Sequence, residues 1–471
     1  MDKIRPAGMS SPMIDFANAV AGVVPGTGID PDRLHGDLAA RFRDAHAAVT
    51  ARRRAGEMGF FALPADRDLA VRTGAVAATV APRFESLVVI GIGGSALGTA
   101  ALRDALLPPA WNELDAASRG GRPRLHLMDN PDPDSVAALL GRLNPARTCF
   151  NVVSKSGSTA ETMAHLLVAW TWVESSLGPG GPRERFVVTT SPGRGPLRKL
   201  AEDHGLLALD VPDAVGGRFS VLSPAALFPA AVTGIDTGAV LAGAAEAAAR
   251  CSTPELLRNS AGVLATLLHV ADTEMGCPVH VFMPYADRLR GLAYWIQQLW
   301  AESLGKAVDR EGRPVESGPT PLPSFGAADQ HSVLQLLMEG PRDKIVVFLG
   351  REVPERDVGI PERFAEEPAL ACLGGHTLFD LLDAERRATA EAMRREGRPN
   401  LTVMTERLDA HAVGSLLMLF QIAVVYAGEL YGVNPLDQPG VELGKKLTFG
   451  LMGRDGYPRP EAPRSDSRWR V

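Results

Sequence analysis

The sequence predicts an α/β protein built on two parallel sheets, and two runs of alternation predict it. In the first, short β-rich segments end in Gly, Asp or Ser/Thr: LVVIG (87–91), RLHLMD (124–129), CFNVVS (149–154) and FVVTTS (186–191). Helical windows separate them, as in βαβ units that feed a parallel sheet. The second run starts after about residue 260. Its strands are VHVFMP (279–284), KIVVFLG (344–350) and LTVMTE (401–406). Helical windows at 287–305, 328–339, 376–395 and 409–430 lie around them. A chain of 471 residues has room for two or three domains.

In chain order, residues 1–75 read as a polar, helical N-terminal segment with an Arg52–Arg54 run. Residues 76–255 read as the first α/β domain and 256–440 as the second. Residues 441–471 read as a helix and a loose tail, because 457–471 holds three prolines and no apolar period. Two uncharged stretches, 219–235 and 412–428, compete with a membrane reading. The first contains two prolines. The second has 17 residues, is interrupted by Ser415 and Gln421, and sits at the short limit for a span, so both are expected in the core.

Composition narrows the function classes. Hydrophobic residues are 45% and charged residues 22%, as in soluble globular proteins. Lys+Arg is 49 against Asp+Glu at 55, a formal charge of −6, which speaks against nucleic-acid binding. The four cysteines lie far apart, with no CxxC pair, so neither a zinc ribbon nor a disulfide scaffold is expected. Asp15 interrupts any apolar stretch after Lys3 and Arg5, so no secretory signal is read. The expectation is a reduced, cytoplasmic protein without a membrane partner. No HExxH, GxSxG, EF-hand loop or metal-spaced His/Cys cluster occurs.

Six segments carry chemistry. GIGGSALG (91–98) follows a strand, so its glycines, including Gly94, let backbone amides and Ser95 approach an anion. Gly91, Gly93 and Ala96 also fit a dinucleotide fingerprint. The acid that closes the second strand, Asp129, comes 38 residues after Gly91, against about 20 in that fingerprint. A tight strand-to-helix turn remains the plain alternative. SKSGSTAET (154–162) offers Ser154, Ser156, Ser158 and Thr159 hydroxyls plus the Lys155 charge. Ser158 to Glu161 forms a capping box, so a helix should begin there and its N-terminus should help cradle phosphate. The plain alternative is a capped, solvated loop.

In RLRGLAYWIQQLWAESLGK (288–306), Leu292, Trp295, Ile296, Leu299 and Trp300 form an apolar helical face. Glu302 is expected on that face, one turn past Gln298. Burial there favours the neutral acid and lifts it toward general-base range; an edge position facing solvent is the alternative. In DQHSVLQLLMEG (329–340), His331 opens a helix as either a cap or a functional ring. In VGGRFS (215–220), two glycines precede Arg218, whose guanidinium could stabilise a negative intermediate or lie in a surface turn. In DQPGVELGKKLT (437–448), Lys445 stands three residues after Glu442, as an i,i+3 ion pair or a functional amine.

Taken in order, GIGGS, SKSGSTAET, VGGRFSVLSPAA, AESLGK, DQH and DQPGVELGK resemble the hallmarks of the glucose-6-phosphate isomerase (phosphoglucose isomerase) family over roughly residues 85–450. The resemblance implies two flavodoxin-like sugar-isomerase (SIS) domains, each a parallel sheet sandwiched by helices. It implies interconversion of D-glucose 6-phosphate and D-fructose 6-phosphate through a cis-enediol, in glycolysis and gluconeogenesis, with no metal or nucleotide cofactor. Glu302 is then the base and Arg218 the enediolate stabiliser, while His331 and Lys445 serve ring opening. Gly94, Ser95, Ser154, Lys155, Ser156, Ser158 and Thr159 hold the phosphate, and Gln298 and Gln438 position the sugar. A homodimer is implied, with His331 supplied across the subunit boundary. Pro439, Leu436 and Ala96 stand where many members carry Trp, an aromatic and an acid, which leaves mannose 6-phosphate open as a second substrate. Another SIS sugar-phosphate isomerase, or a non-catalytic sugar-phosphate sensor that keeps the cradle and loses the base, is the competing reading.

Overall fold

The computed structural model describes residues 12–460. Its first sheet consists of β2 (Ser86–Ile90), β3 (Arg124–Met128), β4 (Thr148–Val153), β5 (Phe186–Thr190) and β6 (Leu207–Asp210). All five run parallel in the order β3-β2-β4-β5-β6. This is the flavodoxin-like order, which reverses direction between β2 and β4. The crevice at such a switch point opens beyond the carboxyl ends of the strands. GIGGS follows β2 and SKSGST follows β4, so the sheet topology brings the two phosphate-loop candidates to one edge.

The second sheet repeats the design. β7 (Val279–Pro284), β10 (Thr320–Pro323), β11 (Lys344–Arg351) and β12 (Asn400–Thr405) are parallel in the order β12-β11-β7-β10. β1 (Met13–Asp15) closes its other edge antiparallel to β12, pairing Met13 with Met404. The N-terminal segment is therefore not purely helical. Three residues are too few to show a strand alternation, so this edge was invisible in the sequence. β10 carries no strand signal because it reads Thr-Pro-Leu-Pro. Proline cannot donate to a ladder and is tolerated only at an edge, which is where β10 lies. A separate hairpin pairs β8 (Lys306–Val308) with β9 (Pro314–Ser317).

Side chains alternate across each sheet with period 2. Leu87 and Val89 of β2 enter a large central core, while Val88 and Ile90 pack under the outer helices of the first sheet. Ile345, Val347 and Leu349 of β11 enter that same central core, and Val346 and Phe348 face the outer layer of the second sheet. The two sheets thus share one apolar layer between them. At its centre lies the helix Ala410–Leu430, buried at every residue from Ala412 to Gly428. It is long and apolar enough to cross a membrane, yet it packs inside the protein. Gly243 and Gly414 let it press on the helix Thr237–Arg250. A Cβ on Gly414 would sit 1.9 Å from the Val240 carbonyl. The polar interruptions of this helix are structural: Ser415 Oγ donates to the Gly243 carbonyl and Gln421 Nε2 to the Phe219 carbonyl.

The expected helices at 287–305, 376–395 and 409–430 form as Arg290–Leu304, Leu378–Arg395 and Ala410–Leu430. The window 328–339 splits into a 3-10 turn, Ala328–His331, and a short helix, Leu334–Glu339. At the C-terminus, Glu442–Leu451 is helical and 457–460 carries no regular structure; the rest of the expected tail lies outside the described residues.

Candidate active site

The helix Arg290–Leu304 buries Leu292, Trp295, Ile296, Leu299 and Trp300, each at most 1% exposed. Glu302 does not lie on this face. Counting back in fours from Glu302 gives Gln298 and the exposed Tyr294, the row that flanks the apolar one. Its side chain is 25% exposed, so the expected dry carboxylate on an apolar stripe is corrected to a polar mouth beside that stripe. Gln298 Nε2 donates to Glu302 Oε2 at 3.0 Å, and Arg218 Nη1 stands 3.4 Å from Oε1. The Gln298 Oε1 atom is buried with no partner, leaving an acceptor for a ligand hydroxyl. Gln298 and Glu302 open on a cleft of about 540 Å³ lined also by Leu97, Tyr294, Gln438 and Val441, among others.

Arg218 is the interior anchor of the site, its side chain only 2% exposed. Nε donates to Ser303 Oγ at 2.7 Å and Nη1 to Gln438 Oε1 at 3.0 Å. Nη2 donates to the carbonyls of Pro435 at 2.6 Å and Asp437 at 3.0 Å. Burial pulls this guanidinium below the usual arginine range, while Glu302 and Asp437 pull it back. The alternative of a surface turn is excluded. The glycine loops explain how it gets there. A Cβ on Gly94 would lie 2.3 Å from the Gly217 backbone, and one on Gly93 would lie 2.9 Å from Gln298 Nε2. Gly94 therefore seats the turn after β2 against the Arg218 loop, and half-buried Ser95 ends that turn.

The loop after β4 differs from its sequence reading in detail. The helix begins at Ala160 with Thr159 as N-cap, but no side chain bonds its first amides, so the capping box does not form. Thr159 Oγ1 instead meets Ser154 Oγ at 3.1 Å. Ser154 is buried and its hydroxyl also accepts from the Gly157 amide at 3.1 Å, which makes it a scaffold of the loop. Ser156 is exposed and accepts from the Ser158 amide and hydroxyl, both at 3.3 Å. The uncapped N-terminus of an 18-residue helix thus offers free amides beside the exposed Ser156 hydroxyl, the donor set an anion needs. Lys155 is drawn aside: its Nζ donates to the Asp213 carbonyl at 2.7 Å, and burial pushes the amine below the usual lysine range.

Of the expected site residues, Gln298, Glu302 and Gln438 line the cleft; those of the 94–95 turn and the 154–159 loop do not, and neither do His331 and Lys445. His331 is exposed in its 3-10 turn, and its ring has no hydrogen-bond partner among the described residues. Lys445 pairs with Glu442 at 2.8 Å with both side chains about half exposed, the i,i+3 ion pair that the spacing alone suggested. Three residues not singled out from the sequence belong to the site: Ser303, Asp437 and Lys306. The lysine lay in the AESLGK segment, but nothing in a sequence shows that an amine after a helix end turns inward.

The chain as a whole is similar to known proteins. The phosphoglucose isomerase family pattern matches residues 67–454. The chain is 43% identical over 419 residues to a glucose-6-phosphate isomerase of Carboxydothermus hydrogenoformans, covering 88% of this chain and 89% of that one. It is 45% identical over 400 residues to a glucose-6-phosphate isomerase of Rubrobacter xylanophilus, covering 85% and 90%. Among solved structures, a hypothetical protein of Thermus thermophilus superposes with a TM-score of 0.82 at 40% identity, over 93% of this chain and 100% of that one. A Chlamydia trachomatis glucose-6-phosphate isomerase shares the fold, with a TM-score of 0.80 at 23% identity over 95% and 89%. With that match over most of its length, and with Glu302, Gln298 and Gln438 at one cleft against the buried Arg218, the chain belongs to the phosphoglucose isomerase family.

Proposed function

We propose that the protein interconverts D-glucose 6-phosphate and D-fructose 6-phosphate by moving one proton between C2 and C1. The observation that carries this reading is the Glu302 carboxylate at the cleft, held by Gln298 at 3.0 Å and faced by the buried Arg218 at 3.4 Å. In the open-chain aldose, C2–H is acidified by the C1 carbonyl. Glu302 removes that proton, the electrons move to the C1 oxygen, and a cis-enediolate forms. Arg218 lies beside the base, where developing negative charge is met by a preorganised cation. The O2 hydroxyl proton passes to O1, the same carboxylate returns its proton to C1, and O2 becomes the ketone. The phosphate, held by the loop at residues 154–159 and the turn at Gly94–Ser95, supplies binding energy that orients the reacting carbons. Incubation with fructose 6-phosphate, with the product coupled to glucose-6-phosphate dehydrogenase, is expected to show turnover; wild-type inactivity would sink the reading.

Ring opening is assigned to His331 and Lys445, with the histidine reaching the cleft from the other subunit of a homodimer. Exposed His331 without a hydrogen-bond partner among the described residues supports this, as do exposed apolar side chains: Tyr294 and Val441 at the cleft, Leu336 beside the histidine turn and Leu443 beside Lys445. Mixed dimers test it. An E302Q subunit joined to an H331A subunit rebuilds one intact site only if the histidine crosses over. Co-refolding the two inactive proteins should then restore about a quarter of wild-type activity, from the statistical share of heterodimers with one good site each. No recovery despite verified heterodimers would place the histidine in its own subunit's site.

A further inference from the structure

Lys306 opens β8, two residues after the helix that carries Glu302. Its side chain is only 5% exposed. Its Nζ donates to the backbone carbonyl of Glu302 at 2.8 Å and to that of Asp437 at 2.8 Å, and stands 3.5 Å from Asp437 Oδ1. The Asp437 carbonyl also accepts from Arg218, and the next residue, Gln438, accepts from Arg218 and lines the cleft. One amine therefore ties the end of the base-bearing helix to the loop that flanks the substrate cleft.

Elementary electrostatics says why an ammonium would be kept there. Glu302 sits in the last turn of a 15-residue helix, whose unpaired carbonyls carry the negative end of the helix dipole. An enediolate formed beside that helix end adds further negative charge. Lys306 satisfies one of those carbonyls and sets a positive charge behind the last turn. Burying an ammonium whose closest contacts are backbone carbonyls is costly, and a purely structural tie needs no charge. Burial does pull the amine below the usual lysine range, with Arg218 adding repulsion while Asp437 and Glu302 oppose it.

We propose that Lys306 is a positioning residue for proton transfer. It fixes Glu302 and Gln438 relative to Arg218 and offsets the helix-end charge that would otherwise oppose the enediolate. The inference rests on Glu302 being the base. The charged groups that bear on it are Arg218 across the loop, Asp437 on the loop and Glu302 on the helix.

Lys306→Met and Lys306→Arg separate charge from placement. K306M should lower kcat on fructose 6-phosphate by about 10–100-fold, the scale of an ångström-sized misplacement, with KM nearly unchanged because the phosphate is held elsewhere. K306R keeps the charge in a bulkier head, so it should recover part of kcat at unchanged KM. Wild-type kcat in K306M overturns the proposal, as does a loss that falls on KM with kcat kept. If K306M does not fold, K306R decides: kcat reduced with KM unchanged supports it, and wild-type kcat overturns it. An inactive wild type would instead sink the isomerase reading, whereas active wild type, inactive E302Q and silent Lys306 variants would sink this inference alone.

Discussion

Glu302→Gln is expected to lower kcat by on the order of 10²–10⁴-fold, the contribution of a positioned general base, while leaving sugar-phosphate binding in place. The substitution keeps the size of the side chain, and with a quarter of that side chain in solvent the new amide finds hydrogen bonds from water. Gln298 can still donate to the amide oxygen at the place where it meets Oε2 at 3.0 Å. Folding should therefore be preserved and the defect confined to proton transfer. Two readouts separate the base from a mere binding group. The coupled assay reports kcat, and NMR in D2O reports exchange of the C2 proton of glucose 6-phosphate with solvent deuterium. Both should collapse together. Wild-type C2 exchange in E302Q would show that another group removes the proton, whatever happens to net turnover.

The sheet interiors were legible in the sequence because buried parallel strands read as unbroken apolar runs. Leu87–Ile90 and Ile345–Leu349 could hardly be anything else once punctuated by glycine. Of the four edges only β3 was legible, as RLHLMD: Met13–Asp15 is too short, Thr320–Pro323 is half proline, and β6 leaves Leu207 exposed. The loops at the switch point were legible through their glycines and hydroxyls, but the use of each hydroxyl was not. Ser154 and Thr159 bond one another across the loop, an outcome of its closure rather than of composition. Glu302 sits one row off the face its spacing suggests, because a pattern of apolar residues fixes a helix face only to within one flanking position. The meeting of Arg218, Lys306 and the Asp437 carbonyl could not be read at all: the partners lie 219 and 131 residues apart, and only the fold joins them.

Arg218→Met is expected to combine the second-largest loss of activity with a measurable loss of stability, and the two can be told apart. Removing the guanidinium takes the donor from Ser303 Oγ, Gln438 Oε1 and the Pro435 carbonyl, and one of two donors from the Asp437 carbonyl. Each buried acceptor left unpaired costs about 1–3 kcal/mol, so the urea midpoint should fall even if water refills part of the space. Catalysis should suffer separately, because the cation beside Glu302 is also the one placed to meet the enediolate. Losing one such donor costs roughly 10²–10³-fold in kcat. Arg218→Lys distinguishes the roles. A lysine restores the charge but not a planar fork that reaches a hydroxyl, an amide oxygen and two carbonyls at once. It should recover part of the activity by electrostatics while Gln438 and the 435–437 loop remain loosely held. Measured in folded protein well below the midpoint, R218M should therefore be the slowest, R218K intermediate and wild type fastest in kcat/KM. If R218M instead turned over like wild type under those conditions and only its midpoint dropped, Arg218 would be a scaffold for the loop and the enediolate would need a different counter-charge, with Lys306 the next cation in line.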